Sequence, residues 1–339
     1  MKHCKLTTIR PGAAVTDRRG RQLATAPMST LDTFFSASRL TRSSELRNSP
    51  AALSAAFQAV ESAFLLVQSG VCVVRDNRPA LLPRVELGEL EPQLENSILL
   101  GELDGRYIFA VNLEPALTLE LPPGCELLEG RGLLAELEQD DAHLLAYARA
   151  MSHWQNNHRY CGVCGSGNAP VEGGFVMSCS NTECGQRSFP RLDPAVIVLV
   201  HDNDRCLLGR QPHWPEGRFS TIAGFAEPGE SLEGTIRREV KEETNIDVGD
   251  CHYLGSQPWP FPAALMIGFH ATALSRDIAL NDQELAEAGW YTREQLRDEV
   301  ILPPRQSIAF QLIAAWHDEG SSTALADIPR KEAFNAPRA

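Results

Sequence analysis

The sequence predicts a mixed α/β protein built from two or three domains. Its 339 residues are enough for that number of domains and for a sizeable buried core. Apolar stretches of strand length occur in both halves of the chain, for example in residues 195–200. A helix with one apolar stripe is predicted to follow Ser231. Between the two halves lie two pairs of closely spaced cysteines, which indicate a small metal-bound module.

Composition and charge count against a basic nucleic-acid-binding protein, a membrane-spanning protein and a disulfide-rich protein. Lysine and arginine number 31 and aspartate and glutamate number 44, so the net charge is -13. No basic run offsets this charge, so a phosphate-bearing substrate would be held by local groups and metal ions. The longest uninterrupted apolar run, residues 195–200, is far too short to span a bilayer. Cysteines outside the two pairs are scattered, so we expect a cytoplasmic protein without disulfides or a membrane partner.

Residues 1–28 are predicted to form a disordered basic extension. They carry several lysines and arginines but lack the apolar core of a secretory signal. An organelle transit peptide is the alternative explanation of the same composition.

Residues 29–157 are predicted to form a small mixed α/β domain. Residues 31–49 are expected to be a loop with polar turns, and residues 52–70 combine helical and strand patterns. Asp104-Gly105 is typical of the turn in a hairpin between two apolar strands. A helical pattern covers the stretch from Leu133 to Asn157. Because no catalytic constellation is evident in this part of the sequence, we expect a scaffold or a dimer partner.

Residues 158–190 carry four cysteines with the spacing of metal ligands. Cys161 and Cys164 form a CxxC, and Cys179 and Cys184 form a CxxxxC after a loop of 14 residues. Two such pairs joined by a short hairpin are what a tetrahedral Zn²⁺ with four thiolates requires. Redox-active pairs and plain buried thiols are the alternatives. Four protein ligands leave no open position, so the predicted zinc is structural.

A turn and an amphipathic helix dominate residues 224–246. Pro228-Gly229 is typical of a tight turn, because proline presets φ and glycine accepts positive φ. Ser231 is then placed to cap a helix. The apolar residues of this helix recur every fourth position, as Leu232, Ile236 and Val240. That stripe is expected to pack on a core.

Three carboxylates lie on a neighbouring face of this helix. Glu239, Glu242 and Glu243 are separated by one turn or less. Stacked carboxylates repel each other unless cations lie between them, and Mg²⁺ or Mn²⁺ suits such a site when a phosphate completes the coordination. A solvated acidic face is the ordinary explanation of a bare glutamate pair. The fixed spacing of the whole constellation favours a metal site.

The same stretch resembles the signature of the Nudix hydrolases, which runs G, five residues, E, seven residues, R-E-aliphatic-x-E-E-x-G-aliphatic. The matching residues are Gly224, Glu230, Arg238, Glu239, Val240, Glu242, Glu243 and Ile246. Asn245 replaces the family's last glycine, and asparagine is the next best residue for a left-handed helix end. The resemblance implies a Nudix α-β-α sandwich over residues 191–320. We expect residues 321–339 to form a frayed tail.

A second resemblance narrows the family to its NADH pyrophosphatase branch. Residues 256–262 read SQPWPFP, a stiff segment predicted as a loop between strands. Its aromatic residues would offer a wall for a flat ring, and a rigid hydrophobic turn is the alternative role. The segment resembles the SQPWPFPxS motif of the branch, with Ala264 in place of the final serine. A zinc ribbon and a separate N-terminal domain ahead of the Nudix domain also fit this branch.

The resemblance implies a set of site residues. The expected ligands of a catalytic Mg²⁺ or Mn²⁺ are Glu239, Glu243, Glu284 and the backbone carbonyl of Ala223. Glu287 is the nearby competitor of Glu284, and Glu242 is a candidate ligand or general base. Arg238 is expected to orient Glu230, with direct phosphate contact as the alternative. The expected substrate contacts are Phe189, Gln257, Pro258, Trp259, Pro260, Phe261, Pro262, Ala263, Ala264 and, on a helix predicted from Ile301 to Trp316, Ala309.

The implied function is metal-dependent hydrolysis of the pyrophosphate of NAD(H), which gives nicotinamide mononucleotide and AMP. A nicotinamide-adenine cap on the 5′ end of RNA presents the same pyrophosphate and is a second expected substrate. The alternatives are hydrolysis of another nucleoside diphosphate derivative and a non-catalytic nucleotide sensor. The resemblance also implies a homodimer.

Overall fold

The computed structural model describes residues 31–36, 39–88, 90, 92–114, 120–128, 137–281 and 283–329. The predicted basic extension lies outside the described residues. Three units follow one another along the described chain. The first is a mixed sheet with helices, the second is a three-stranded ribbon that carries the cysteines, and the third is another mixed sheet with helices.

The first unit is built on a mixed sheet. Its described strands are β1 (Ala63–Gln68), β2 (Val71–Arg75), β3 (Arg78–Pro79), β4 (Leu82–Pro83), β5 (Ser97–Leu103), β6 (Arg106–Leu113) and β7 (Cys125–Leu127). Their order is β3-β2-β1-β6-β5, with β4 against β1 and β7 against β2, and the β1–β6 pair is parallel. The helices are α1 (Ser44–Arg47), α2 (Pro50–Gln58) and α3 (Gln139–Asn157).

Helices α2 and α3 cover opposite faces of this sheet. Leu65 of β1 belongs to the apolar cluster that contains Leu145 of α3. The neighbouring Phe64 packs edge to face against Phe57 of α2, with ring centres 5.5 Å apart. Successive side chains of a strand point to opposite faces, so one strand contributes to both apolar layers.

Several predictions for this unit are confirmed. Asp104 and Gly105 have φ values of 51° and 76° between β5 and β6, as a type I′ hairpin turn requires. The mixed pattern of residues 52–70 separates into α2 and β1. The predicted helix begins at Gln139, whereas residues 131–136 lie outside the described part of the chain. The predicted loop at residues 31–49 also contains the short helix α1.

The second unit is an antiparallel ribbon. Its strands are β8 (Asn168–Val171), β9 (Val176–Cys179) and β10 (Arg187–Ser188), in the order β10-β9-β8.

The third unit is a sheet between helices. Its strands are β11 (Asp193–His201), β12 (Arg205–Arg210), β13 (Ile222–Phe225), β14 (Val248–Trp259), β15 (Ala264–Ala273) and β16 (Glu287–Thr292). The order is β14-β15-β11-β12-β16, with β13 against β11, and the β11–β15 pair is parallel. The helices are α4 (Leu232–Thr244), α5 (Arg293–Asp298) and α6 (Ile308–Glu319).

Strand β11 lies at the centre of a three-layer sandwich. Val196 and Val198 share an apolar cluster with Val240 of α4. Ile197, between them in sequence, shares a different cluster with Trp316 of α6. The predicted α-β-α arrangement of this unit is therefore confirmed.

The predicted loop at residues 256–262 is wrong for its first half. Residues 256–259 belong to β14, and residues 260–263 form the turn into β15. The prolines favoured a loop in the sequence. Strand β14 ends the strand order, however, and an edge strand tolerates Pro258, a residue without a backbone donor.

The last predicted helix begins later than expected. Helix α6 starts at Ile308 rather than at Ile301. Pro303-Pro304 disfavour the helical conformation in the residues before them. The Ser307 side chain then accepts a hydrogen bond from the Phe310 N–H at 3.2 Å and caps the helix.

The predicted frayed tail is wrong for residues 321–329. Leu325 is buried in the cluster around α6, and its N–H donates to the Asp318 carboxylate at 2.8 Å. Residues 330–339 lie outside the described part of the chain.

Candidate active site

The ends of the acidic helix α4 form as predicted. A turn precedes it at Pro228-Gly229, where Gly229 has a φ of 97°. The Ser231 hydroxyl accepts a hydrogen bond from the Gly234 N–H at 3.1 Å. At the other end, Asn245 adopts the left-handed conformation, with a φ of 63°. These caps satisfy backbone groups that the helix itself leaves unpaired.

Gly224 makes room for the Glu239 carboxylate. A Cβ atom at Gly224 would lie 1.9 Å from Glu239 Cδ and 2.1 Å from Glu239 Oε1. Any larger residue at this position of β13 would therefore displace the carboxylate. The sequence indicated only a flexible turn here. The structure instead shows that the glycine lets the strand and the acidic helix touch at the site.

Arg238 binds three glutamates at once. Its guanidinium donates to Glu230 at 2.7 and 3.0 Å, to Glu239 at 2.9 Å and to Glu242 at 3.2 Å. A further hydrogen bond at 2.9 Å goes to the Phe225 carbonyl on β13. The predicted pair of Arg238 and Glu230 is therefore present, in a two-bond geometry that fixes both side chains.

The carboxylates differ in their proton affinity. The hydrogen bond from Arg238 lowers the pKa of Glu230 to about 2, helped by the Glu227 N–H. Burial raises the pKa of Glu239, although Arg238 opposes that change, and the charges of Glu242 and Glu284 raise it further. A cation beside Glu239 would offset this burial, so the donor set fits a metal ion.

Glu284 and Glu287 are the two candidates for the distant carboxylate. The charge of Glu284 contributes to the raised pKa of Glu239. Glu287, the competing candidate, belongs to β16 and pairs with Arg210 at 2.5 Å. Of the two, Glu284 is the carboxylate whose charge acts on Glu239, and its role as a metal ligand stays a prediction.

A cleft of about 350 Å³ opens beside this cluster. Ala223 and Glu243 from the predicted metal ligands line it. Trp259 and Ala309 from the predicted substrate contacts line the same cleft, as does Gln257. The structure therefore brings members of both predicted sets together around one cavity.

The cleft also has lining residues that were not predicted. They include Gln211, Trp214, Arg218, Ser220, Thr221, Met266, Leu285 and Ser307. The guanidinium carbon of Arg218 lies 5.3 Å from the centre of the Trp214 ring, so a cation and an aromatic face share one part of the wall. The signal that would have indicated them is a tryptophan and an arginine in the polar segment between two apolar strands.

Seven predicted substrate contacts do not line this cleft, namely Phe189, Pro258, Pro260, Phe261, Pro262, Ala263 and Ala264. Phe261 packs against the core of the first unit. Phe189 follows the ribbon, half-exposed, with the Arg187 guanidinium 5.7 Å from its ring centre. Contact between these residues and a substrate stays a prediction.

The Gln257 amide is used inside the protein. Its Nε2 donates to the Phe34 carbonyl at 3.2 Å and to the Gln306 carbonyl at 2.8 Å. Its Oε1 accepts from the Ile308 N–H at 2.9 Å. The fully buried Gln257 therefore fixes the start of α6, and through it Ala309, on the cleft.

The four predicted zinc ligands come together at the ribbon. The sulfur atoms of Cys161, Cys164, Cys179 and Cys184 all lie within 4.8 Å of one another. The Cys161–Cys184 and Cys164–Cys179 pairs are 3.8 and 3.4 Å apart. Tetrahedral coordination with Zn–S bonds of about 2.3 Å places sulfurs roughly 3.8 Å apart. The cluster fits a structural Zn²⁺.

Comparisons with protein families match all three units. The NUDIX domain model matches residues 191–312, and the NADH pyrophosphatase zinc ribbon model matches residues 156–189. An NADH pyrophosphatase-like rudimentary NUDIX domain matches residues 54–154, which identifies the first unit.

Individual proteins are similar to this chain. NAD-capped RNA hydrolase NudC of Mycobacterium bovis is 38% identical over 262 residues, which cover 72% of this chain and 82% of that protein. NAD-capped RNA hydrolase NUDT12 of Homo sapiens is 40% identical over 199 residues, which cover 54% of this chain and 43% of that protein. A solved NUDIX hydrolase from Nitrosomonas europaea has a TM-score of 0.40 and 19% identity, covering 48% of this chain and 92% of its own.

The fold and the acidic helix define a Nudix hydrolase. Within that family, the chain belongs to the NADH pyrophosphatase branch. Among the described residues, no helix is both long and apolar enough to cross a membrane.

Replacing Cys179 by serine is expected to remove the zinc and to lower the midpoint of thermal unfolding, because three thiolates hold the ion far less tightly. Elemental mass spectrometry should find about one zinc atom per chain in the wild type and nearly none in the variant. Cys251→Ser is the control, since Cys251 lies outside the cluster. A full zinc content in Cys179→Ser would contradict the site.

The Glu230–Arg238 pair should make stability depend on pH in acid. The folded-state pKa of Glu230 is about 2 and its ordinary value is 4.5. The stabilisation is therefore fully present above pH 4.5 and is lost as the pH falls toward 2. Urea unfolding should give a difference between wild type and Glu230→Gln that is constant near neutral pH and shrinks below pH 4.5. A difference independent of pH would count against the pair.

Proposed function

We propose that this protein hydrolyses the pyrophosphate of NAD(H) to nicotinamide mononucleotide and AMP, and that it removes NAD caps from RNA by the same reaction. The observation that carries the proposal is the shared cleft, where Ala223 and Glu243 lie around one cavity with Trp259 and Ala309. A pyrophosphate at the carboxylates would have an aromatic side chain beside it for a nucleotide ring. The names of the relatives, NAD-capped RNA hydrolases, support this substrate.

Divalent cations belong to the proposal. Glu239, Glu243, Glu284 and the carbonyl of Ala223 would hold Mg²⁺ or Mn²⁺, since hard cations prefer oxygen ligands. Bound ions of this kind neutralise phosphate charge and make a coordinated water more acidic.

Arg238 and Glu242 of the helix have different proposed roles. Arg238 restrains Glu239 through the 2.9 Å hydrogen bond and is itself anchored by Glu230. Glu242 is the most solvent-exposed of the three glutamates that Arg238 binds, with 56% exposure against 21% for Glu230 and 13% for Glu239. This exposure supports Glu242 as a general base for a water molecule, or as a further ligand.

The proposal extends to a homodimer in the cytoplasm. The family resemblance supports the dimer, and the cysteines without a disulfide framework support the location. A light-scattering mass near that of a single chain would refute the dimer.

The experiment is product analysis by chromatography after incubation of the zinc-loaded protein with NADH and Mn²⁺ or Mg²⁺. The wild type should yield reduced nicotinamide mononucleotide and AMP. Glu243→Gln should lose on the order of 100-fold or more in rate, because it removes a proposed ligand of the divalent cation, and even the loss of a ligand's hydrogen-bond partner costs about 10–100-fold. Glu287→Gln is the matched control, since Glu287 pairs with Arg210 instead, and it should retain turnover.

The outcomes separate the competing functions. Equal turnover by Glu243→Gln and wild type would contradict the assigned ligands. Turnover of capped RNA alone, or of another nucleoside diphosphate derivative alone, would change the substrate and keep the chemistry. Tight binding of NADH without any turnover would favour the nucleotide sensor.

A further inference from the structure

The aromatic wall of the cleft rests on the first unit of the protein. Trp259 lines the cleft and ends β14 immediately before the turn of residues 260–263. The rings of Trp259 and Phe261 meet edge to face, with centres 5.3 Å apart. Both rings pack against the apolar cluster of the first unit, and Trp259 lies 6.3 Å from Phe35 in that cluster. One side of the cleft thus depends on a surface outside the third unit.

Arg149 of α3 supplies a polar link across this contact. Its Nε donates to the Pro260 carbonyl at 2.9 Å. Its Nη1 donates to the carbonyl of Gly70, in the turn between β1 and β2. Its guanidinium carbon lies 5.3 Å from the centre of the Phe261 ring. One side chain therefore joins helix α3, a turn of the first sheet and the turn that follows Trp259.

Backbone contacts hold the ends of the turn and leave its middle to side-chain contacts. Pro260 and Pro262 have no N–H to donate. The Phe261 N–H bonds to the Trp259 carbonyl at 2.8 Å, a contact within the turn. At the ends, Trp259 pairs with Ala264, and the Asp193 N–H donates to the Ala263 carbonyl at 3.0 Å. Between these ends, Arg149 donates to the Pro260 carbonyl and lies beside the Phe261 ring.

We propose that Arg149 is a positioning residue for substrate binding, which holds the turn of residues 260–263 so that Trp259 keeps its place in the cleft wall. The substrate in this inference, NAD(H), rests on the proposed function. Arg149 does not line the cleft. Its loss should therefore weaken substrate binding and leave metal binding and the chemical step unchanged.

The side chain at this position must be a guanidinium. A planar fork can donate to two carbonyls while its face lies near an aromatic ring, whereas an ammonium is a compact point charge. Lysine should therefore restore only part of what arginine does.

The first test is steady-state kinetics with NADH and Mn²⁺. Arg149→Met keeps a long apolar stem and removes the hydrogen bonds. Its KM should rise about tenfold with kcat nearly unchanged, the scale expected for lost hydrogen bonds from a charged donor. Arg149→Lys should be intermediate. Arg78→Met is the matched control, because Arg78 binds Asp141 of the same helix at 2.8 Å and should leave KM unchanged.

A second test asks whether Arg149 acts through Trp259. In a Trp259→Leu background, Arg149→Met should add little to KM, because the ring that Arg149 positions is already absent. Hydrogen exchange gives a readout that needs no turnover. The Phe261 amide should exchange faster in Arg149→Met, while the amides of α4 keep their wild-type rates.

The results that overturn the inference are distinct from a failure of the proposed function. An unchanged KM, a fall in kcat alone, or a fully additive effect in the Trp259→Leu background would each overturn it. If the wild type does not hydrolyse NADH, the proposed function fails, and hydrogen exchange of the Phe261 amide then tests the role of Arg149 by itself. An unchanged exchange rate in Arg149→Met would contradict that role. If Arg149→Met does not fold, Arg149→Lys carries the same measurements.

Discussion

Gly224 on β13 lets the Glu239 carboxylate occupy the space that a side chain on the strand would fill, and the rest of the site follows from this approach. Strand β13 pairs with β11, where Gly224 lies opposite Val196. Through Val240, helix α4 packs on the face of β11 that carries the Val196 side chain. Ala223 of the strand and Glu243 of the helix therefore line the same cleft. Arg238 then sets the rotamers of the crowded glutamates by binding three of them together.

The three units contribute differently to this site. The third unit carries the carboxylates and most of the cleft. The first unit matches a rudimentary NUDIX domain. It supports the wall of the cleft that contains Trp259, through Arg149 of α3 and through Phe35. Gln257 is the polar counterpart of that support, because its buried amide ties the Phe34 carbonyl to the start of α6. The cysteine ribbon lies between the two sheets along the chain, with a sulfur cluster that fits zinc.

Sequence patterns predicted the features that depend on residues close together in the chain. These features are the apolar stripe of α4 that ends at Val240, the Ser231 cap and the cysteine pairs. Each of them depends on contacts within one element or one hairpin. The strand character of residues 256–259 was missed although they pair with β15 in a hairpin, because prolines favour a loop and only the position of β14 at the edge of the sheet makes Pro258 tolerable. Arg149 was missed because its partners, Gly70 and Pro260, are distant in sequence. Trp214 was missed although its partner Arg218 is local, because only the packed fold places both residues on the cleft.

The most direct test of this account is Mn²⁺ binding by Gly224→Ala. A Cβ at this position collides with Glu239, so metal affinity should fall on the order of 10–100-fold. Gly234→Ala is the matched control, because its Cβ would meet only the Ser231 hydroxyl at 3.4 Å, and its affinity should stay at the wild-type value. Calorimetric titration of the zinc-loaded proteins gives both affinities. Wild-type Mn²⁺ affinity in Gly224→Ala would contradict the close approach of strand and helix as the basis of the site.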